Sequence, residues 1–264
     1  MTYLPESRPG TSTRGGSRVR RVLFRVRGIT IWSYPALLYV GLVCGFYVMY
    51  AVAPSLGMPR LRAAVAVLIL FAPAVAGARI WFVVDHWAIY RRDPQRIWRY
   101  SEGGLTLYGG LVLTLLLSPA VLVPLGLGYT AFWDGATFTM LTGMVFTRVG
   151  CLLNGCCSGR CSDGRLGLRL PDDAGHWSRR YPVQLLELAT ALVLLAVSAS
   201  LLAAGASRGT IFALALVGYS VARFAIDPLR ERPPRIAAGR RSALAAFLAC
   251  SIMAAAAGWL AMRV

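Results

Sequence analysis

A tyrosine, two arginines and an aspartate recur at helical spacing in the last quarter of the chain. They are Tyr219, Arg223, Asp227 and Arg230, and at about 100° per residue all four fall on one stripe of a helix. The stripe presents two guanidinium groups with a carboxylate between them. Because a guanidinium donates two parallel hydrogen bonds and keeps its charge, this pattern predicts a phosphate-binding surface. The alternative is a salt bridge at a helix end that Pro228 terminates.

A second candidate site is the segment 148–160, where an arginine inside an apolar run leads into a turn of small residues. Arg148 begins the segment, and Asn154 and Gly159 follow in the turn. The backbone N–H groups of such a turn can surround an anion together with a guanidinium and an amide side chain. The segment therefore predicts a binding site for an anionic headgroup.

Four cysteines accompany this segment: Cys151, Cys156, Cys157 and Cys161. Zinc sites commonly use paired cysteines about two to four residues apart, and the adjacent pair Cys156-Cys157 matches that template poorly. We therefore expect thiols that pack in the interior, with no metal and no cofactor. A disulfide and a metal site are the alternatives.

The third candidate is Tyr108, which stands in the glycine-rich run 103–111 at the start of an apolar segment. Paired glycines on both sides of the phenol let a backbone or a substrate approach closely. The phenol is then either a group that a substrate can reach or an aromatic anchor at the membrane interface. Both interpretations stand at this point.

Three more ionisable residues lie inside apolar runs, namely Arg79, Asp134 and Glu187. An ionisable group within a membrane span costs at least about 2.5 to 3.5 kcal/mol, so such groups face a bundle interior rather than lipid. We expect a polar, phosphate-handling cavity within the membrane, lined by these three residues and by Arg148, Arg223 and Asp227.

The elements that must position these residues are membrane helices. Hydrophobic residues make up 57% of the chain and charged residues 15%, and the apolar runs reach the roughly 20 residues that cross a bilayer core. The predicted fold class is all-α, a polytopic integral membrane protein with about seven transmembrane helices around an intramembrane polar cavity. The predicted spans are about 35–55, 62–84, 106–127, 131–153, 183–204, 209–227 and 242–261.

Residues 1–28 are rich in Gly, Ser, Thr and Arg, and we expect them to form a basic disordered tail. Residues 29–264 are expected to form a single seven-helix transmembrane domain. The formal net charge is +17, yet no soluble basic domain is present to hold a nucleic-acid duplex. We therefore expect contact with anionic membrane lipid and not with nucleic acid.

Taken in order, these segments resemble the prolipoprotein diacylglyceryl transferase family, bacterial enzymes that lipidate the lipobox cysteine of lipoprotein precursors. The resemblance runs from about Tyr34 to Arg230 and includes Tyr34-Pro35, Gly77-Ala78-Arg79, Asp134 and the run 181–187. It implies seven transmembrane helices in the bacterial cytoplasmic (inner) membrane, phosphatidylglycerol as the donor and prolipoprotein lipobox segments as the acceptor. In the implied reaction a cysteine thiol attacks the glyceryl carbon, which forms a thioether and releases glycerol phosphate.

The resemblance also implies roles for individual residues. Arg148 and Arg223 match the essential arginines of the family, and Asn154 and Gly159 match its asparagine-and-glycine signature loop. Tyr108 stands where better-known members have a histidine, and we expect it to be catalytic together with the two arginines. The expected substrate-binding residues are Arg79, Asn154, Gly159, Glu187, Tyr219, Asp227 and Arg230.

Further departures from the family pattern make this chain resemble a divergent branch. Cys151 replaces an asparagine, Cys156 replaces a glutamate and Asp227 replaces a glutamate. Two other functions are therefore left open. One is a catalytically silent paralogue that binds phospholipid or lipoprotein precursors, and the other is a redox or metal-binding membrane protein built around the cysteines.

The arginine distribution and the family topology predict opposite orientations. Arginines concentrate in the N-terminal tail and in the loops after the second, fourth and sixth predicted spans. By the positive-inside rule this places the N-terminus in the cytoplasm. The resemblance implies that the N-terminus lies outside the cytoplasm and that the site faces the outer leaflet. We expect this family topology, because loop arginines that hold lipid headgroups distort the count of arginines on the two sides.

Overall fold

A computed structural model of the protein describes residues 22–26, 29–91, 93–98, 104, 106–164, 167–171 and 177–231. This part of the chain is mostly helical. The helices are α1 (Ser33–Val52), α2 (Arg60–Asp85), α3 (Trp87–Tyr90), α4 (Leu107–Leu122), α5 (Tyr129–Asn154), α6 (Val183–Ala203) and α7 (Thr210–Ile226). Three short 3-10 segments occupy Ala53–Leu56, Pro94–Trp98 and Asp227–Leu229.

Five helical stretches of the described residues are long and apolar enough to cross a membrane. They are α1 and α7, each taken with the 3-10 segment that follows it, and α2, α5 and α6. Helix α4 is also apolar, but it has 16 residues, fewer than the roughly 20 that a perpendicular crossing needs. These six helices coincide with the first six predicted spans, whereas the seventh, at 242–261, lies outside the described residues. The chain is thus a multi-pass helical membrane protein, and the predicted number of seven spans is not confirmed.

Large apolar side chains cover the outside of the bundle. On α1, Tyr39 and Val43 are each 67% exposed and Tyr47 is 71% exposed, and they follow one another at a spacing of one helical turn. Soluble proteins rarely expose a continuous apolar surface of this kind. This face of α1 is therefore suited to contact with lipid chains.

Helix α5 forms the centre of the described bundle. It packs against α1, α6 and α7, while α4 packs mainly against α2. The α2–α4 contact depends on Gly77 and Gly109, because a Cβ atom on either residue would lie 2.4 Å from the carbonyl oxygen of the other. The close approach predicted for the glycines around Tyr108 is therefore an approach of two helix backbones, and it fixes the start of α4 on α2.

Two short antiparallel ladders accompany the helices and depart from a purely α-helical fold. Strand β1 (Val22–Val26) pairs with β2 (Ile29–Trp32), and β3 (Leu168–Pro171) pairs with β4 (Trp177–Arg180). Strand β1 falls within the predicted disordered tail, so that prediction is wrong for residues 22–26. Residues 1–21 and 27–28, the rest of the predicted tail, lie outside the described residues.

Asp134 on α5 is not part of a phosphate cavity, contrary to the sequence-based expectation. Its side chain is 1% exposed, and its two oxygens accept the backbone N–H groups of Gly209 at 2.6 Å and Phe212 at 2.8 Å. These donors belong to the first turn of α7, where helix N–H groups lack partners within the helix. The carboxylate is therefore a cap that α5 provides for the start of α7.

We expect Asp134→Ala to lower the free energy of unfolding by about 1–3 kcal/mol, because two buried N–H groups lose their acceptor. The measurement is the melting temperature of the purified protein in detergent. Asp134→Asn is the matched control. It retains one acceptor oxygen, so its free energy of unfolding should fall by less than that of the alanine variant. An alanine variant that melts together with the wild type would contradict this role.

Candidate active site

Four helix ends bring the predicted functional residues to one end of the bundle. The start of α4 carries Tyr108, the last turns of α5 carry Arg148, the first turns of α6 carry Glu187 and the end of α7 carries Arg223. Residues far apart in sequence thereby meet, because successive helices alternate in direction. Arg230 reaches the same place from the segment that follows α7.

Glu187 lies at the centre of the site and binds three arginines. Its side chain is 2% exposed. Its Oε2 atom lies 2.9 Å from Nη1 of Arg148, and its Oε1 atom accepts hydrogen bonds from Nη1 of Arg223 and, at 2.9 Å, from Nη1 of Arg230. Among these four side chains, three guanidinium groups against one carboxylate leave a surplus of two positive charges. An anion is the ligand that such a surplus attracts.

One hydrogen-bond donor of Arg148 has no acceptor among the described residues. Its Nε atom is buried and has no hydrogen-bond partner in the described part of the chain. The phenol of Tyr219 lies within hydrogen-bonding reach of the same guanidinium. A buried donor without an acceptor costs about 1–3 kcal/mol, and an oxygen of a bound anion would remove that cost.

Tyr108 lies within electrostatic range of Arg223, so its phenol belongs to the arginine site. Its position follows from the residue two before it, since Thr106 donates both its N–H and its hydroxyl to the carbonyl of Ala78 on α2, each at 3.1 Å. With the glycine contact between α2 and α4, this fixes the first turn of α4.

The guanidinium of Arg79 binds the protein's own backbone. Its side chain is 3% exposed, and it donates to the main-chain carbonyls of Ile97 at 3.0 Å and Gly104 at 3.2 Å. The guanidinium also lies over the rings of Phe82 and Tyr90, 5.9 and 5.5 Å from their centroids. Arg79 therefore holds the connection that leads into α4 and thereby helps to place Tyr108.

The predicted single helical stripe ends before its last member. Helix α7 stops at Ile226, Asp227 begins a 3-10 turn, and Arg230 has an extended backbone with φ −77° and ψ 143°. The Arg230 N–H donates to the carbonyl of Asp227 at 3.2 Å. Arg230 is therefore not on the helix, yet the turn still brings its side chain to Glu187.

Gly159 is needed because two backbones lie against it. Its N–H donates to the carbonyl of Tyr181 at 3.0 Å, and it pairs with Arg230 in an antiparallel bridge. A Cβ atom at this position would lie 2.6 Å from the Tyr181 oxygen and 2.7 Å from the Leu229 oxygen. The glycine thus joins the signature loop to the segment that carries Arg230. Asn154 stands at the other end of the loop, as the last residue of α5.

Sequence reasoning missed the residues that hold this loop in place. Arg180 is 5% exposed, donates to the carbonyl of Gly159 at 3.3 Å and forms an ion pair with Glu231. Gln184 is 1% exposed and donates to the carbonyl of Cys156 at 2.9 Å. The available signal was the position of Gln184, an amide side chain in the first turn of a largely apolar helix and three residues before Glu187.

Comparison with known proteins identifies the family to which this sequence belongs. The model of the prolipoprotein diacylglyceryl transferase family matches residues 21–263. Phosphatidylglycerol–prolipoprotein diacylglyceryl transferase 2 of Clostridium perfringens is 24% identical over 221 residues, which cover 81% of this chain and 85% of the relative. The transferase of Geobacillus kaustophilus is 26% identical over 84% of this chain and 85% of the relative, and that of Bacillus cereus is 26% identical over 80% of each. The chain belongs to the prolipoprotein diacylglyceryl transferase family of transferases.

Proposed function

We propose that this protein transfers the diacylglyceryl group of phosphatidylglycerol to the lipobox cysteine of prolipoproteins. In this reaction the thiol sulfur forms a bond to the glyceryl carbon, the bond from that carbon to the phosphate oxygen breaks, and glycerol phosphate leaves. The thiol proton passes to an acceptor in the site. The observation that carries the proposal is the arginine cluster around Glu187, whose surplus of positive charge suits a phosphodiester and a leaving phosphate.

The arginines would act chiefly on the leaving group. Negative charge grows on the phosphate as the carbon–oxygen bond breaks, and guanidinium groups already in place stabilise that charge without reorganising. Glu187 holds the three arginines in place. Arg148 and Arg223 are thus catalytic residues, and Glu187 is a positioning residue rather than a group that binds substrate.

The remaining site residues divide between contact and positioning. Tyr219 and Arg230 reach the cluster directly, and with Asp227 and Asn154 they are proposed to contact the phosphatidylglycerol headgroup. Arg79 and Gly159 act through the backbone segments they hold. Two roles are proposed for Tyr108, which lies within electrostatic range of Arg223: acceptor of the thiol proton, or hydrogen-bond donor to the headgroup.

The direct test is complementation of a bacterial strain depleted of its own diacylglyceryl transferase. We expect growth to be restored and mass spectrometry to find thioether-linked diacylglycerol on a lipobox peptide. Failure to grow, together with the absence of this product from purified protein supplied with phosphatidylglycerol and peptide, would overturn the proposal.

A silent paralogue that binds phospholipid or lipoprotein precursors is the second candidate. It is favoured by Tyr108 and Cys156, which stand where the resembled enzymes carry a histidine and a glutamate. The same assay separates the two functions. Binding of phosphatidylglycerol without thioether product would support the paralogue.

We further propose a single domain of residues 29–264 with seven transmembrane helices in the cytoplasmic membrane, and with the N-terminus outside. The arginine-rich end of the bundle is also the end that holds Arg148, Arg223 and Arg230, which supports headgroup binding there. With seven spans the C-terminus then lies in the cytoplasm. A reporter fused at Val264 should be active in the cytoplasm, and activity confined to the periplasm would reverse the orientation.

Gly159→Ala is expected to lower transferase turnover by on the order of 10- to 100-fold. The added methyl group forces the loop and the Arg230 segment apart, and misplacement of a binding group by about 1 Å can cost a factor of about 100. The measurement is turnover of a lipobox peptide by purified protein.

Gly164→Ala is the matched control in the same loop, since a Cβ atom there meets its nearest neighbour at 3.4 Å. It should behave as the wild type. Equal turnover in the Gly159 and Gly164 variants would remove the positioning role of Gly159.

A further inference from the structure

Three thiols meet at the end of α5, directly beside the arginine site. The Sγ atoms of Cys151, Cys156 and Cys157 all lie within 4.8 Å of one another. Cys161, the fourth cysteine of the segment, lies apart, with its Sγ atom 3.7 Å from the hydroxyl of Ser178. In the described part of the chain no cysteine forms a disulfide.

The end of the helix creates this cluster. Gly155 adopts the left-handed conformation with φ 74° and terminates α5. The N–H groups of Gly155 and Cys156 both donate to the carbonyl of Cys151, at 2.9 and 3.2 Å. This turn brings residues 156 and 157 back over residue 151, and the hydrogen bond from Gln184 holds the carbonyl of Cys156. The spacing of cysteines along the chain contains no information on such a reversal of the backbone.

The backbone of Cys157 is held in an unusual conformation. Its φ is 62°, the sole positive φ of a non-glycine residue in the described ranges. Such a conformation costs of order 1–3 kcal/mol and persists where the surroundings impose it, often at ligand clamps. In this backbone conformation the Sγ atom of Cys157 lies close to the Sγ atoms of Cys151 and Cys156.

The charges around the cluster suit thiolates. Arg148 lies within electrostatic range of both Cys151 and Cys157, and it belongs to the cluster with surplus positive charge. Three thiolates around a divalent ion carry one net negative charge, and around a monovalent ion two. Neighbouring guanidinium groups compensate that charge in a region where it would otherwise be costly.

We propose that Cys151, Cys156 and Cys157 bind one thiophilic d10 metal ion, zinc(II) or copper(I). Thiolate donors favour these ions, and three thiolates about 2.3 Å from zinc lie about 4 Å apart, close to the arrangement already present. On binding, the three thiols release their protons to solvent and form three sulfur–metal bonds. Cys157 is exposed and Cys151 is buried, so the ion enters from the loop side and fastens the end of α5 to the signature loop.

The first test measures metal uptake by the full-length protein in detergent, kept reduced and free of oxygen. After incubation with zinc sulfate or a copper(I) complex and removal of excess metal with a chelator, we expect about one ion per chain. Cys161→Ser is the matched control and should bind as the wild type. Cys151→Ser should lose most of the metal. Wild-type protein without bound metal, or uptake that survives replacement of all three cysteines, would overturn the site.

The second test uses only the wild-type chain, so it does not depend on the folding of a variant. Metal should protect Cys151, Cys156 and Cys157 from alkylation, as read by mass spectrometry, while Cys161 in the same molecule reacts at an unchanged rate. Equal protection of Cys161, or none at the other three, contradicts the proposal. The proposal is also contradicted if reduced protein that is incubated with metal forms a disulfide among these three cysteines. Neither readout depends on transferase activity.

Discussion

Replacing Arg148 or Arg223 with alanine should lower diacylglyceryl transfer by at least about 10²–10³-fold, while the protein stays in the membrane. Removal of one preorganised donor to a developing oxyanion typically costs about 2.7 to 4 kcal/mol of transition-state stabilisation. Each substitution also removes one of the three guanidinium groups bound to Glu187. Turnover of a lipobox peptide measures the effect, and immunoblots of membrane fractions measure insertion.

Arg208→Ala is the matched control, because Arg208 is exposed just before α7, at the opposite end of that helix from Arg223. It should transfer at the wild-type rate. Lysine at position 148 or 223 should restore little, since an ammonium group lacks the planar fork that donates two parallel hydrogen bonds. Wild-type turnover in either alanine variant would exclude the arginine cluster as the phosphate site.

Tyr108→Phe should lower turnover by a factor on the order of 10² to 10⁴, the range typical of a positioned proton-transfer group. The substitution removes the hydroxyl that lies within electrostatic range of Arg223 and keeps the aromatic ring at the start of α4. Insertion and melting temperature should therefore not change. Tyr47→Phe is the matched control, because Tyr47 is 71% exposed on the outer face of α1.

Tyr108→His should retain measurable activity, since imidazole reaches a similar position and is a better proton acceptor at neutral pH. Transfer by Tyr108→Phe at the wild-type rate would make Tyr108 an interfacial anchor. The proton acceptor would then be Asp227 or the lipid phosphate, because Glu187 already binds three guanidinium groups.

The sequence was most informative where hydrophobicity and charge decide the structure. Long apolar runs form helices in a membrane because the backbone must bond to itself there, so the first six spans were predictable. Charges inside those runs were rightly assigned to the interior. The partners of these charges were not predictable. Asp134 accepts hydrogen bonds from the start of α7, and Arg79 donates to backbone carbonyls. Only the packing of the helices decides which buried group each charge meets.

Backbone reversals account for the other differences between prediction and structure. Periodicity extended the helical stripe to Arg230, whereas the 3-10 turn at Asp227–Leu229 ends the helix earlier. Spacing matched the zinc template poorly and gave no sign that three of the cysteines meet, whereas the left-handed turn at Gly155 brings them together. In both cases the side chains still meet. Arg230 reaches Glu187, and the three thiols lie together, because a short stretch of irregular backbone turns the chain back.

Helix α7 is held by a carboxylate from a neighbouring helix at each end. Asp134 of α5 binds its first turn, and Glu187 of α6 binds Arg223 in its last turn. A piston-like slide of α7 by one turn, about 5.4 Å, would break both attachments at once. Any movement that opens the site must therefore leave the height of α7 in the bundle unchanged, because both carboxylates hold it there.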